Sequence, residues 1–121
     1  MSTVAVPPPR APIPASVASR FALLADPLRL RIVEALAREQ LCTCHLVEIT
    51  GARQTAISNH LRLLREAGVV ESEPEGRYTW YRIAPGAFAE ALRALGDLTA
   101  DNVPPRLRAA CAPASPAGVR P

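Results

Sequence analysis

Proline sets the limits on this chain before any other residue does. Of its 13 prolines, Pro7, Pro8, Pro9, Pro12 and Pro14 crowd the beginning, and Pro104, Pro105, Pro113, Pro116 and Pro121 fall from Asn102 onward. Each removes a backbone donor and fixes φ, so neither end supports long regular structure. That leaves roughly 80 to 85 residues in the middle to build a core, enough for one small domain but marginal for a monomer. Residues 1–15 are expected to form a disordered arm, 16–100 the folded domain, and 101–121 a mobile tail carrying Cys111. Aromatic residues make up only 4%, so the core has to come from Ala, Leu, Val and Ile on helices. A mainly helical body that completes its burial by dimerising is favoured.

Ser16 reads as the cap of a first helix through about Ala25, with Val17, Phe21 and Leu24 at helical spacing. Asp26-Pro27 restarts the chain, because Asp caps well and Pro fits the first helical position. The helix that follows turns Leu28, Ile32, Val33 and Leu36 inward and Arg29, Arg31 and Arg38 toward solvent. A short third helix opens at Cys42 or Thr43 and ends at Gly51, a residue suited to the left-handed C-terminal position. The turn Gly51-Ala52-Arg53 then leads into a fourth helix that Gly68 stops. Val69 to Pro74 and Arg77 to Ile83 read as strands joined at Glu75-Gly76, with Tyr81 directed to the core. After Pro85-Gly86 a last helix runs from about Ala87 to Leu98, its Phe88, Leu92 and Leu95 stripe meant for a partner subunit. The order is α-α-α-α-β-β-α: mainly α with a small β-hairpin, a winged helix-turn-helix, expected to be homodimeric.

The fourth helix carries the functional signal. At about 100° per residue, Ile57, Leu61 and Leu64 fall on one side and Thr55, Ser58, Asn59 and Arg62 on the other. Short hydrogen-bonding side chains and Arg are the types that meet base edges and phosphates, so this reads as a recognition helix for double-stranded DNA. Arg53 and Gln54 at its start join that surface. Arg77 and Tyr78 on the wing, with Arg82 behind them, are candidates for backbone or minor-groove contact. His60, at the edge of the packed face, is read as structural. The formal charge of +3, the pI of about 9.1 and the use of Arg for all 14 basic residues suit nucleic acid, and equally a GC-rich genome. No apolar run approaches the 18 residues of a membrane span and no signal peptide precedes the domain, so a cytoplasmic protein without membrane association is expected.

The chain has three cysteines, Cys42, Cys44 and Cys111. In the cytoplasm that count argues for thiols that are free, reactive or metal-bound, not for a disulfide framework. Cys42 and Cys44 lie about 200° apart on a regular helix and cannot face one ion from mid-helix. At an irregular helix start they can, and there the helix N-terminus is expected to lower thiol pKa. Two thiolates on so short a span chelate a soft ion, and Cys111 on its tail supplies a possible third. His45 stands open as ligand, as hydrogen bonder to a ligand, or as an exposed side chain.

Three local patterns together resemble the ArsR/SmtB family of winged-helix, metal-responsive repressors. They are Ala22-Leu23-Leu24-Ala25-Asp26-Pro27-Leu28-Arg29-Leu30-Arg31-Ile32, Leu41-Cys42-Thr43-Cys44-His45-Leu46, and Gln54-Thr55-Ala56-Ile57-Ser58-Asn59-His60-Leu61-Arg62 leading to Glu66-Ala67-Gly68-Val69-Val70. The resemblance implies a homodimer held by its first and last helices, bound to operator DNA and released when a metal or metalloid ion occupies cysteines. It implies a three-thiolate site for arsenite, As(III), or antimonite, Sb(III), built from Cys42, Cys44 and Cys111, with no organic cofactor and no enzymatic activity. The sequence departs from the family pattern at His45, where an Asp is usual, at Val47, where arsenic-responsive members carry a third Cys, and at Arg53, where a small capping residue is common. Soft thiolates also take cadmium, lead or mercury, and a thiol-redox regulator of the same fold is the further alternative. A thiol oxidoreductase is disfavoured by the one-residue spacer between Cys42 and Cys44 and by the lack of a strand-helix scaffold around them.

Overall fold

The computed structural model describes residues 12–100 and 105–111; most of the expected arm and tail lies outside the described residues. Helix α1 (Ala15–Leu24) starts from Pro14, whose carbonyl accepts from the Val17 and Ala18 N–H groups at 3.0 and 3.2 Å. The proline already holds the extended conformation an N-cap needs, so Ser16 lies inside the first turn instead of capping it. Helix α2 (Pro27–Leu36) opens as the sequence indicates: Asp26 Oδ2 accepts from the Arg29 N–H at 2.9 Å and Pro27 takes the first helical position. Then come β1 (Leu41–Cys42), α3 (Thr43–Thr50), α4 (Gln54–Glu66), β2 (Val70–Glu75), β3 (Tyr78–Ile83) and α5 (Ala89–Leu98).

The strands form one antiparallel sheet in the order β1-β3-β2. Strand β1 has no counterpart in the sequence reading, because two residues are too few to show alternation and their pairing exists only once β3 offers an edge. Leu41 lies opposite Tyr81, and Cys42 opposite Trp80. The hairpin turns at Gly76-Arg77, one residue later than expected, since Glu75 pairs with Tyr78. Gly76 has φ 61, the positive value that the first central position of a two-residue hairpin loop demands. Arg77 is thereby carried to the tip of the wing.

Ile32, Leu36, Leu41, Leu46, Ile57, Leu61, Leu64, Val69 and Val70 make the core, with Tyr81, Ile83 and Phe88 packed against it. The three α4 residues on the predicted inner face are each buried, which stabilises the fold by about 1.5 to 3 kcal/mol apiece. Tyr81 takes the core place expected of it. Phe88 does not lie on the α5 stripe; it precedes the helix and packs inward, leaving Leu92, Leu95 and Leu98 exposed. Helix α5 packs on α1, where Phe21 is exposed as well.

Arg29 is half-buried and does not join the solvated face, whereas Arg31 is exposed as expected and caps a neighbouring helix as well. The Arg29 Nε–H donates to the Leu23 carbonyl at 2.8 Å, closing the α1–α2 corner. Arg31 donates from both terminal nitrogens to the Thr50 and Ile49 carbonyls at 3.1 and 3.2 Å. Those are the last carbonyls of α3, which lack partners within their own helix and attract a cation.

Candidate nucleic-acid interface and thiol pair

The turn that aims α4 is fixed from both sides. Gly51 ends α3 at φ 73, and its N–H reaches the Val47 carbonyl at 2.8 Å. The Thr50 hydroxyl donates to the Leu46 carbonyl at 2.7 Å and accepts from the Ala52 N–H at 3.1 Å. From α2, Arg29 reaches His60 Nδ1 at 3.3 Å, and His60 Nε2 lies 3.7 Å from Asp26 Oδ2. His60 is therefore a strut between α4 and the start of α2, in keeping with its structural reading. The Asp26 carboxyl is held below the usual carboxylate range, first by the Arg29 backbone N–H and then by the charges of His60 and Arg29.

Outward from that strut, Gln54, Thr55, Ser58, Asn59 and Arg62 are all exposed on one side of α4. Arg53 stands at the N-cap, exposed and without a side-chain capping bond. Arg62 is paired with Glu66 one turn later, N–O 3.4 Å, an exposed contact worth only about 0.3 to 0.5 kcal/mol. At the wing tip Arg77 and Tyr78 are exposed. Arg82 is not available in the same way. Its guanidinium is held at 3.0 Å by Glu71 and 3.2 Å by Glu73, which push its pKa up. The outer face of the wing also carries Glu75, bonded by the Trp80 indole N–H at 3.1 Å, so that face is acidic and only its tip offers positive charge.

The thiols lie at the other end of α3. Cys42 is the N-cap, with extended backbone at φ −89 and ψ 167, and Cys44 is in the first turn. The separation of a regular helix does not apply to a pair that straddles a helix start, as the spacing argument requires. The two side chains differ in environment: Cys42 is 4% exposed, whereas Cys44 is exposed. Burial pushes the Cys42 thiol up, and the neighbouring Cys44 and Glu75 charges add to this. The expected lowering by the helix N-terminus is outweighed at this residue by desolvation. The His45 Nδ1 accepts from the Cys42 N–H at 3.0 Å, the hydrogen bond that the third helical residue makes in a capping box. Its ring lies against Trp80, centroids 5.8 Å apart. With Nδ1 engaged by the Cys42 N–H, His45 serves the start of the helix. Cys111 is exposed. Among the described residues no group of three or more His, Cys, Asp or Glu side chains is arranged to hold a metal ion. What the described residues place at the start of α3 is one buried and one exposed thiol two residues apart.

Sequence reasoning missed the Asp26–Arg29–His60 strut, the Arg31 cap and the Trp80–Glu75 bond. The early traces of the first were Asp26 as a capping residue and His60 as a structural one; the Arg31 cap joins helices far apart in the chain, and the Trp80–Glu75 bond crosses the β2–β3 hairpin.

An exposed polar helix seated on a packed helix pair, beside a hairpin with a basic tip, defines a winged helix-turn-helix protein. Residues 26–72 match the profile of the bacterial regulatory protein, arsR family. The arsenical resistance operon repressor of Escherichia coli K12 is 37% identical over 78 residues, 64% of this chain and 67% of that one. The cadmium resistance transcriptional regulatory protein CadC of Listeria innocua is 41% identical over 69 residues, 56% of this chain and 58% of that one. This chain thus spans well under two thirds of that relative's length. Among solved structures, an ArsR-like transcriptional regulator from Rhodococcus sp. RHA1 superposes with a TM-score of 0.63 at 32% identity, covering 69% of this chain and 79% of that one. The chain belongs to the arsR family of bacterial regulatory proteins. Among the described residues no helix is long and apolar enough to cross a membrane.

Proposed function

We propose that this protein is a homodimeric transcriptional repressor that binds operator DNA and is released when a soft metal or metalloid ion occupies Cys42 and Cys44. The observation that carries the reading is the division of α4: Ile57, Leu61 and Leu64 are buried, while Gln54, Thr55, Ser58, Asn59 and Arg62 are presented to solvent on a helix tied to α2 through His60. Two such helices, related by a dyad through α1 and α5, enter successive major grooves. Exposed Phe21, Leu92, Leu95 and Leu98 give that dyad an apolar surface to bury. Arg53 and Arg62 meet phosphate or guanine, and Arg77 and Tyr78 at the wing tip meet the backbone. The glutamates behind the tip keep the rest of the wing away from phosphate.

Arsenite, with antimonite as its analogue, is the inducer we favour, taking three sulfurs from Cys42, Cys44 and Cys111. The exposed Cys111 and the two-thiol turn are compatible with that set, and the name of the Escherichia coli relative supports it. The second reading is a divalent soft ion such as cadmium, lead or mercury; it is supported by the two thiols at the start of α3 and by the name of the Listeria relative. The test is anisotropy of a labelled promoter fragment bound by the reduced protein, titrated with arsenite, antimonite, cadmium, zinc and mercury, for wild type and Cys111→Ser. Release by arsenite that the variant loses supports the three-thiolate reading. Release by cadmium or mercury alone selects the divalent reading. Retention of DNA with every ion overturns ion sensing and returns the cysteines to a redox or packing role.

A further inference from the structure

Cys42 is a buried thiol on the wrong side of the sheet for the core. Its neighbour Leu41 lies opposite Tyr81, and both pack inward. Side chains alternate along a strand and directly opposed residues share a face, so Cys42 projects outward together with its partner Trp80. Nothing in an exposed sheet face buries a small side chain unless a large one lies over it. The large groups brought to Cys42 are Trp80, its partner in the β1–β3 register, and His45, whose Nδ1 accepts from the Cys42 N–H; the two rings lie tilted to each other with centroids 5.8 Å apart. The indole is also tied down, through its N–H to Glu75 at 3.1 Å. Trp80 stands on β3, the strand that pairs with both β1 and β2.

We infer that Trp80 is a cover over the Cys42 thiol, and that any group bonding to Cys42 must lift the indole and thereby displace the wing. The inference deepens the proposed function: there the bonding group is a soft ion, and a positioning residue on the wing joins ion occupancy to a DNA-contacting element. The route runs across the β1–β3 pairing, from Cys42 to Trp80 and along the hairpin to Arg77 and Tyr78. It does not need the α3–α4 turn to move, and that turn is braced by Thr50, Arg31 and Gly51. Cys44, exposed in the first turn of α3, has no such cover and is free to take the ion first. Closing the chelate onto Cys42 is then the step that moves the wing.

Two measurements on the reduced chain test this. The first is alkylation of each cysteine by iodoacetamide, followed by peptide mass spectrometry. Cys44 should react at least tenfold faster than Cys42 in wild type, and Trp80→Ala should accelerate Cys42 at least tenfold while leaving Cys44 unchanged. Trp80→Phe, which keeps a ring but loses the bond to Glu75, should fall between them. Equal acceleration at Cys42 and Cys44 in Trp80→Ala would report general loosening and overturn the cover, as would an unchanged Cys42 rate in both Trp80→Phe and Trp80→Ala.

The second measurement follows the intrinsic fluorescence of Trp80, the single tryptophan of the chain, during titration with cadmium and with arsenite, while thiolate charge-transfer absorption reports occupancy. Occupancy accompanied by increased acrylamide quenching of Trp80, and lost in Cys42→Ser, supports the inference. Occupancy with unchanged quenching overturns it and leaves ion sensing standing. If neither ion gives charge-transfer absorption, ion sensing itself fails, and the alkylation rates alone decide whether Trp80 covers the thiol.

Discussion

Salt dependence of DNA binding is the sharpest test of the interface. Three exposed arginines per protomer, Arg53, Arg62 and Arg77, stand where phosphate contacts are proposed. A dimer presents six, and at about −0.9 per neutralised phosphate the logarithm of affinity should fall with the logarithm of salt at a slope near −5. Raising salt from about 50 to about 200 mM should then weaken binding roughly a thousandfold. Arg62→Ala removes two of these charges per dimer, so the slope should drop by about 2. Each lost charge-assisted contact costs about 1.5 to 3 kcal/mol. The Arg62–Glu66 pair lost with it is worth only about 0.3 to 0.5 kcal/mol, so stability is almost untouched and the effect is read in affinity. Removing Arg62 also leaves Glu66 facing the DNA without a partner. Glu66→Gln in the Arg62→Ala background should therefore recover part of the loss. Anisotropy across a salt series, on operator and on unrelated DNA, measures all of this. A wild-type slope shallower than about −2 would refute the arginine interface. An Arg62→Ala slope equal to wild type, with affinity lost at one base position only, would move Arg62 from phosphate to base.

Leu64→Ala, at a fully buried position of α4, should cost about 2 to 5 kcal/mol in chemical denaturation, and a smaller loss would mean the core around α4 collapses to fill the space. Gly51→Ala should cost about 1 to 2 kcal/mol from the left-handed backbone alone, since a Cβ there meets nothing within 4 Å; equal stability would show that the turn relaxes. The raised Cys42 thiol gives a pH signature: its alkylation rate should reach half its plateau at a pH above about 8.5, where an ordinary thiol is half ionised. A rate that levels off below that value contradicts the burial argument. Its linkage to folding has the matching sign, with stability intact below the unfolded-state pKa and lost as pH rises through the higher folded value. Asp26 has the opposite sign. Its carboxyl is lowered from 3.8, so its contribution is present above that pH and lost as pH falls through the folded value, and Asp26→Asn should flatten acid unfolding in that range. Unchanged acid unfolding in Asp26→Asn would remove the carboxylate from the strut.

Much of the fold was legible because its signals are local. The Asp26-Pro27 start, the Gly51 and Gly68 stops and the 100° division of residues 54–66 each depend on side chains within one or two turns, and α2, α3 and α4 lie where those signals put them. The winged helix-turn-helix order and the outward set of α4 follow from them. Whatever needed two distant segments could not be read that way. Strand β1 exists only because β3 lies beside it, and the bonds of Arg29 and Arg31 form only because α1, α3 and α4 bring carbonyls and His60 within reach. The cysteine pair shows the division within three residues. Sequence placed Cys42 and Cys44 at a helix start because spacing along a chain is a local property. Tertiary structure decided that one is exposed and the other lies buried opposite Trp80, because burial depends on which strand arrives from elsewhere to cover it.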